Sequence, residues 1–286
     1  MKEFKIPPWR QKQINKQYAR KSKVVHSTVQ AVSQVMHNAV EEIIDTSLLT
    51  GKYAQPSLNG LNAICDRFYH GVIEEAFWSC QDDKKEQKGK KKLAKARGPK
   101  GIPKNLENLH EVFQDKKYYQ AIMKRSRALS ERMKKQYLQK LKRKFNKLMP
   151  MIRDGSISPA QAKKEMIQVW GSSKSRVETI FRTETTNYFG KVQVEFFQDD
   201  DEIIGFLFDS NIDSSITDIC RSRHGMVFTK DHIGKNSIAY NTPALHYNCR
   251  SHLIPLANTP ENRKLLEDVS RDPSKNKLVP LPDGWR

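Results

Sequence analysis

The sequence predicts an α+β protein: a predominantly helical N-terminal region, a basic linker and helix, then a small α+β C-terminal domain with a short sheet and a Cys/His-rich loop. Three observations carry that reading. Apolar residues recur at helical spacing from Val25 to Phe196. The period changes at Ile203, where consecutive apolar residues read as a strand. Cysteine and histidine then gather between Cys220 and His252 in a polar, turn-rich stretch.

The helical elements follow in order. Val25, Val29, Val32, Met36, Val40 and Ile43/Ile44 form one face of an amphipathic helix over 24–48. Thr50-Gly51 ends it, and Gln55-Pro56-Ser57 turns the chain. A second helix presents Leu58, Leu61, Ile64/Cys65, Phe68/Tyr69, Val72/Ile73 and Ala76/Phe77, and the short connection predicts an antiparallel hairpin. Residues 84–104 are a basic linker with ten Lys/Arg, three glycines and two prolines, expected to be mobile unless an anion orders it. Helical pattern resumes near Leu106, and a basic helix with Ile122, Leu129, Met133, Tyr137, Leu141, Phe145 and Leu148 runs up to a stop at Pro150. Ser158-Pro159-Ala160-Gln161 is a helix start, closed at Trp170-Gly171. Another helix runs from Ser173 to about Gln198 until Asp199-Asp200-Asp201 breaks it. Strands are expected at Ile203–Phe208 and Met226–Phe228, and the tail after Leu256 is read as extended. The resulting segments are 1–83, 84–104, 105–154, 155–257 and 258–286.

Composition bounds the function. Of 286 residues 37% are hydrophobic and 29% charged, enough for a core over part of the length. No run approaches the roughly 18 apolar residues of a membrane span, and the N-terminus has no apolar signal-peptide region. A protein that is soluble and begins in a cytoplasm is expected. Cys65 and Cys80 fall on apolar helical positions and read as buried free thiols.

Net charge is +19, and residues 84–147 hold 23 Lys/Arg against five acids, nearly the whole excess. The cations singled out are Lys84, Lys85, Lys88, Lys90, Lys91, Lys92, Lys95, Arg97, Lys100, Lys104, Lys124, Arg125, Arg127, Arg132, Lys134, Lys135, Lys140, Lys142, Arg143 and Lys144. Such a stretch can neutralise the phosphates of double-stranded DNA without reading bases. The plain alternative is a solvated helix face; an acidic protein surface is the other candidate partner. Tyr118, Tyr119 and Tyr137 are too few for a stacking platform.

Cys220, His224, His246, Cys249 and His252 are candidate metal ligands, in two short groups separated by 21 residues. Thiolate and imidazole donors from two turns suit tetrahedral zinc, and a filled four-ligand site would be structural. The alternative is a pair of packed thiols with histidines on polar turns.

The order of residues here is also distinctive: Arg182-Thr183-Glu184 in a helix, a strand, Asp213…Thr217…Cys220, His224-Gly225-Met226-Val227-Phe228, and Pro243…His246-Tyr247-Asn248-Cys249-Arg250-Ser251. Over residues 155–257 this resembles the phage Mu protein F-like family of minor head, or head-morphogenesis, proteins of tailed phages. Tyr247 stands where that pattern has proline, and Ser251 where many relatives have a second cysteine. The resemblance implies a minor capsid protein rather than an enzyme. Its partners would be the portal and other capsid or scaffold proteins, with no membrane. Its place would be the head interior of the virion, after assembly in the host cytoplasm. It assigns structural roles to Arg182, Glu184, Asp213, Thr217 and Arg250; the Arg250 fork could bind Glu184 or Asp213 and pin the loop. At most one structural zinc is expected as cofactor.

Two rival functions are weighed. Asp231-His232-Ile233, with Asn248 and His252, could be read as an HNH-like metal-dependent nuclease, which needs its last His/Asn on a helix. A zinc-finger-like regulator would need a recognition helix beside the cluster. The sequence contains no phosphate-cradling glycine loop, nucleophile elbow or H-E-x-x-H motif.

Overall fold

A computed structural model describes residues 8–50, 52–58, 60–88, 117–230, 238 and 241–271. The elements are α1 (Pro8–Thr50), α2 (Gly60–Lys88), α3 (Lys117–Arg153), α4 (Pro159–Phe197), β1 (Ile203–Asp209), α5 (Asp218–Arg223), β2 (Val227–Thr229), β3 (His252–Ala257) and α6 (Pro260–Arg271). The fold is α+β: helical through α4, then a small domain with a short sheet and a Cys/His cluster. Two compact units are interleaved along the chain. One comprises residues 1–23, 72–112 and 180–286, the other 24–71 and 113–179.

The second of these is all helix. Val32, Met36, Val40 and Ile43 of α1, Leu61, Cys65, Phe68 and Tyr69 of α2, Leu141 and Phe145 of α3, and Ala162, Met166 and Trp170 of α4 are buried. The α1–α2 connection turns tightly, with Leu61 N–H donating to Leu58 O and Ser57 N–H to Glu42 Oε2. Val35 faces Gly60 and Val24 faces Gly71, so one helix descends as the other rises. Polar side chains fix the remaining helices. Trp170 Nε1 donates to Ser33 Oγ (2.9 Å), Tyr137 OH to Met36 O (3.3 Å) and Ser126 Oγ to Asp66 (2.7 Å). Lys163 pairs with Glu41 at 2.7 Å.

The other unit is built on an antiparallel sheet of order β2-β1-β3. Phe206, Phe208 and Phe228 are buried, with Phe197 and Phe196 of α4 following on by edge contacts to Phe77 of α2. Leu207, Val227, Ile254 and Leu256 form a separate cluster with Leu266 and Val269 of α6 and Ile14 of α1. Covered on both faces, β1 reads as an uninterrupted apolar run instead of an alternating one. Gly205 is required in it: a Cβ there would lie 2.5 Å from Phe228 O.

Several local expectations are corrected. Helix α4 is continuous through Trp170-Gly171. Gly171 costs the helix only about 1 kcal/mol, and the Ser172 and Ser173 hydroxyls both donate to Val169 O without breaking it. Helix α3 passes Pro150 and ends at Arg153. So close to the C-terminus the proline forfeits a single backbone bond, and its own carbonyl accepts Asp154 N–H. Gly155, at φ 79°, supplies the exit. Helix α1 begins at Pro8, well before Val24, and α5, β3 and α6 appear where loop or extended chain was expected. Lys84, Lys85 and Lys88 lie in the last turns of α2, whereas 89–116, with most of the basic linker and the pattern near Leu106, fall outside the described residues.

Candidate functional site

The Cys/His centre is assembled from α5 and the 241–251 loop. Thr217 is the N-cap of α5, which is only long enough to present Cys220 inward. The loop then delivers His246 and Cys249 just before β3. Cys220 Sγ lies 3.0 Å from His246 Nε2 and 3.7 Å from Cys249 Sγ, and the three donor atoms are all within 4.8 Å of one another. Both cysteines are buried and unbridged.

Hydrogen bonding prepares these donors. His246 Nδ1 is 2.7 Å from Tyr247 O, a carbonyl that can only accept. The proton therefore sits on Nδ1 and leaves Nε2 with its lone pair toward Cys220, the tautomer a metal needs. Ser251 Oγ donates to Cys220 Sγ (3.2 Å) and Ser210 Oγ to Cys220 O (2.9 Å). Cys249 is the better thiolate. The hydrogen bond from the Cys220 thiol, together with the N–H groups of Ser251 and Leu245, outweighs burial and lowers its pKa. The same Cys249 contact and burial push Cys220 up.

The set fits zinc. Two sulfurs each about 2.3 Å from a tetrahedral ion lie about 3.8 Å apart, close to the 3.7 Å found. The Cys–His distance of 3.0 Å would open by about half an ångström to span the same ion. Cys220, His246 and Cys249 would hold the metal, which supplies a rigid cross-link between α5 and the loop.

His224 and His252 do not join them: of the five candidate ligands, three come together. His224 Nδ1 accepts Ser210 N–H at 3.1 Å and lies 3.5 Å from Asp209 Oδ1. Burial raises the Asp209 carboxyl to about 7. His252 starts β3, and its Nδ1 faces the Lys21 ammonium at 3.1 Å. Burial first, and Lys21 second, hold its pKa well below the ordinary imidazole range.

A ring of contacts outside the sulfurs fixes the loop. Arg250 forks onto Asp213, with Nη2 2.7 Å from Oδ1 and Nη1 on Oδ2. That settles the partner as Asp213. The Arg250 hydrogen bond, first among the causes, holds the Asp213 carboxyl below its ordinary range. From α4, Arg182 Nη1 donates to Asn248 Oδ1 (3.0 Å), Thr183 Oγ1 accepts Asn248 N–H (2.7 Å), and Thr186 Oγ1 donates to Cys249 O (2.8 Å). Glu184 between them is buried. Asn248 takes a left-handed conformation, φ 61°, which asparagine tolerates better than most residues. The Thr217 hydroxyl is buried beside Cys220 and meets no other hydrogen-bond partner among the described residues.

Sequence reasoning missed Ser210, Thr186 and Lys21. Lys21 Nζ is buried between His252 Nδ1 and Ser251 O (3.4 Å), 4.9 Å from the Phe189 ring centroid. Nothing in the linear order links positions 21 and 252. Thr186 could have been found, since it falls one helical turn after Thr183.

The basic helix is a separate feature. Lys124, Arg125, Arg127, Arg132, Lys135, Lys140, Lys142 and Arg143 of α3 are exposed. Lys134 pairs with Glu131 and Lys144 with Glu165, Lys140 donates to Ser173, and Lys142 stands over the Tyr53 ring. Lys90, Lys91, Lys92, Lys95, Arg97, Lys100 and Lys104 fall outside the described residues.

The nuclease reading loses its later members. His252 opens a strand, and Asn248 lies in a loop clamped to α4. Asp231-His232-Ile233 is outside the described residues. No described helix is long and apolar enough to cross a membrane.

A small α+β domain whose polar residues converge on holding one loop defines a structural module. Residues 115–254 match the family described as Phage Mu protein F like protein. The match begins some 40 residues before the segment its motifs mark, taking in α3. The family is one of structural, head-morphogenesis proteins, not enzymes. No curated protein and no solved structure matches the chain.

Proposed function

We propose that the chain is a minor head protein of a tailed phage that associates with the portal inside the head and contacts double-stranded DNA, without reading its sequence, through the exposed face of α3. One observation carries the DNA contact. Lys124, Arg127, Arg132, Lys135 and Arg143 are exposed and have no ion-pair partner among the described residues. At about 100° per residue they fall within an arc of roughly 160° on one side of the helix. The opposite side carries the buried Leu129, Met133, Tyr137 and Leu141. A stripe of this kind meets a phosphate backbone by charge alone. The basic linker 84–104 would extend it.

The domain formed by α4, the sheet and the Cys/His loop would be the rigid part that docks on portal, capsid or scaffold protein, with one structural zinc. Fluorescence anisotropy with a random-sequence duplex tests the DNA contact. Five phosphate contacts predict a loss of affinity of about 500-fold between 50 and 200 mM salt. Changing the five cations to glutamine should flatten that dependence. An affinity that changes less than tenfold over the range in the unmodified protein overturns the reading. Co-purification with the cognate portal protein tests the docking.

A further inference from the structure

We propose that Cys220 and Cys249 are a reversible dithiol–disulfide pair, the site of an oxidative modification that replaces a bound metal as the cross-link between α5 and the 241–251 loop. The sulfurs are already 3.7 Å apart and unbridged. Reaching a bonded separation of about 2.0 Å needs a movement of less than about 2 Å. Helix α5 has six residues, so that shift falls on a short element at the edge of the sheet domain. Access comes from one side. Cys220, itself 3% exposed, lines a small cleft together with His246, Thr217, Ser210 and Ser251, whereas Cys249 is fully buried and is not among the lining residues. The other two cysteines, Cys65 and Cys80, are buried in α2.

The reaction is thiol–disulfide exchange with a small-molecule disulfide such as oxidised glutathione. Cys220 sulfur attacks one glutathione sulfur, breaking its S–S bond. The first glutathione leaves as thiolate and takes the Cys220 proton. Cys249 sulfur then attacks the mixed disulfide at Cys220, forming the Cys220–Cys249 bond. The second glutathione leaves as thiolate and takes a proton from solvent, balancing the one Cys249 has given up. Two protein thiols are oxidised and one glutathione disulfide is reduced to two thiols. A zinc ion held by these sulfurs is released, since neither remains a thiolate. Only that release rests on the metal reading; the exchange itself needs no metal. A head made in a reducing cytoplasm passes into an oxidising exterior, and closure of the pair keeps the loop pinned through that change.

The test uses the full chain as purified, with zinc first counted by elemental analysis. The protein is then incubated with oxidised glutathione, alkylated, and analysed by intact and peptide mass spectrometry, with released zinc read by a chromogenic chelator. The expected result is loss of two hydrogens per chain, a peptide joining Cys220 to Cys249, zinc release in proportion, full reversal by dithiothreitol, and Cys65 and Cys80 still alkylated. If no zinc is present and the joined peptide still forms, the metal reading fails and the dithiol stands. Stable glutathione adducts without the joined peptide, or oxidation only after unfolding, overturn the proposal. So does zinc-loaded protein that stays reduced even after chelation. Because every arm uses the unmodified chain, a variant that fails to fold cannot obscure the outcome.

Discussion

Lys21→Met exchanges a buried ammonium for an apolar side chain of similar length, and the structure sets both the size and the pH dependence of the effect. Burial, opposed by the attraction of Cys249, lowers the Lys21 pKa from 10.5 to about 7. The unfolded chain keeps the ordinary value near 10.4. Between about pH 7 and 10 the unfolded state therefore holds a proton that the folded state has released, so stability rises with pH across that window. The slope is about 1.4 kcal/mol per pH unit. Below pH 7 both states are protonated, and the folded protein carries the whole penalty, about 4–5 kcal/mol. Methionine removes it but strands His252 Nδ1 and Ser251 O, at about 1–3 kcal/mol for each buried group left unsatisfied. These terms nearly offset at pH 7, so the diagnostic is the slope. Urea denaturation of both proteins at pH 7, 8 and 9 cancels the other titrating groups. The stability of Lys21→Met relative to the unmodified protein should fall by about 2 kcal/mol from pH 7 to 9. Parallel profiles, within about 0.5 kcal/mol at every pH, refute a lowered Lys21 pKa and with it the burial that lowers it.

Arg250→Ala should destabilise the chain by about 1–2 kcal/mol, since it removes a two-point fork onto Asp213. Differential scanning fluorimetry should show a fall of about 3–6 °C. The Asp213 pKa is depressed in the fold, so the difference should persist above the ordinary carboxylate range and shrink as pH falls through it. Gly171→Ala should stabilise by about 1 kcal/mol, because the position is helical and open, with nothing within 4 Å of the place its methyl carbon would take. Gly190→Ala, on the same helix, should cost about 1–3 kcal/mol by overpacking, its Cβ meeting Thr242 Cγ2 at 2.9 Å and Pro243 O at 3.0 Å. Denaturation midpoints of the two glycine variants moving in the same direction would contradict the packing described.

Much of the helical architecture was legible because the buried faces of α1, α2 and α3 are apolar at nearly every turn. The first part of α1 was not. Its inward positions include Ile14, Gln17 and Lys21, and two polar residues on a buried face erase the periodicity. Strand β3 was obscured by Pro255, which argues against a central strand; the sheet order makes β3 an edge, where proline is tolerated. Helix α6 had a start signal in Thr259-Pro260-Glu261, and the Thr259 hydroxyl accepts Asn262 N–H, but the signal follows a turn and precedes a mostly charged stretch. The Cys/His cluster was visible as a group, yet its membership was not. His224 and His252 are separated from it by Ser210, Asp209 and Lys21, partners distant in sequence.

Scattered residues that carry the family resemblance, joined by Thr186 and Ser210, become one device in the fold. Arg182, Thr183 and Thr186 hold Asn248 and Cys249 from α4; Asp213 holds Arg250; Ser210 reaches Ser251 at 3.2 Å; Cys220 meets His246 and Cys249. All of them act on residues 246–251, the segment that feeds directly into β3. A net hydrogen bond contributes about 1 kcal/mol, so the bonds from α4 and the Arg250 fork together rival a single strong cross-link. With the loop placed in this way, three protein donors would suffice to hold a metal there. The loop is already placed by polar contacts, so a metal or a disulfide has to lock its position and not create it. The substitutions Tyr247 and Ser251 are compatible with the same logic. Tyr247 is 76% exposed and contributes only its backbone carbonyl, which accepts from His246 Nδ1, while Ser251 keeps a polar contact to Cys220 through its hydroxyl.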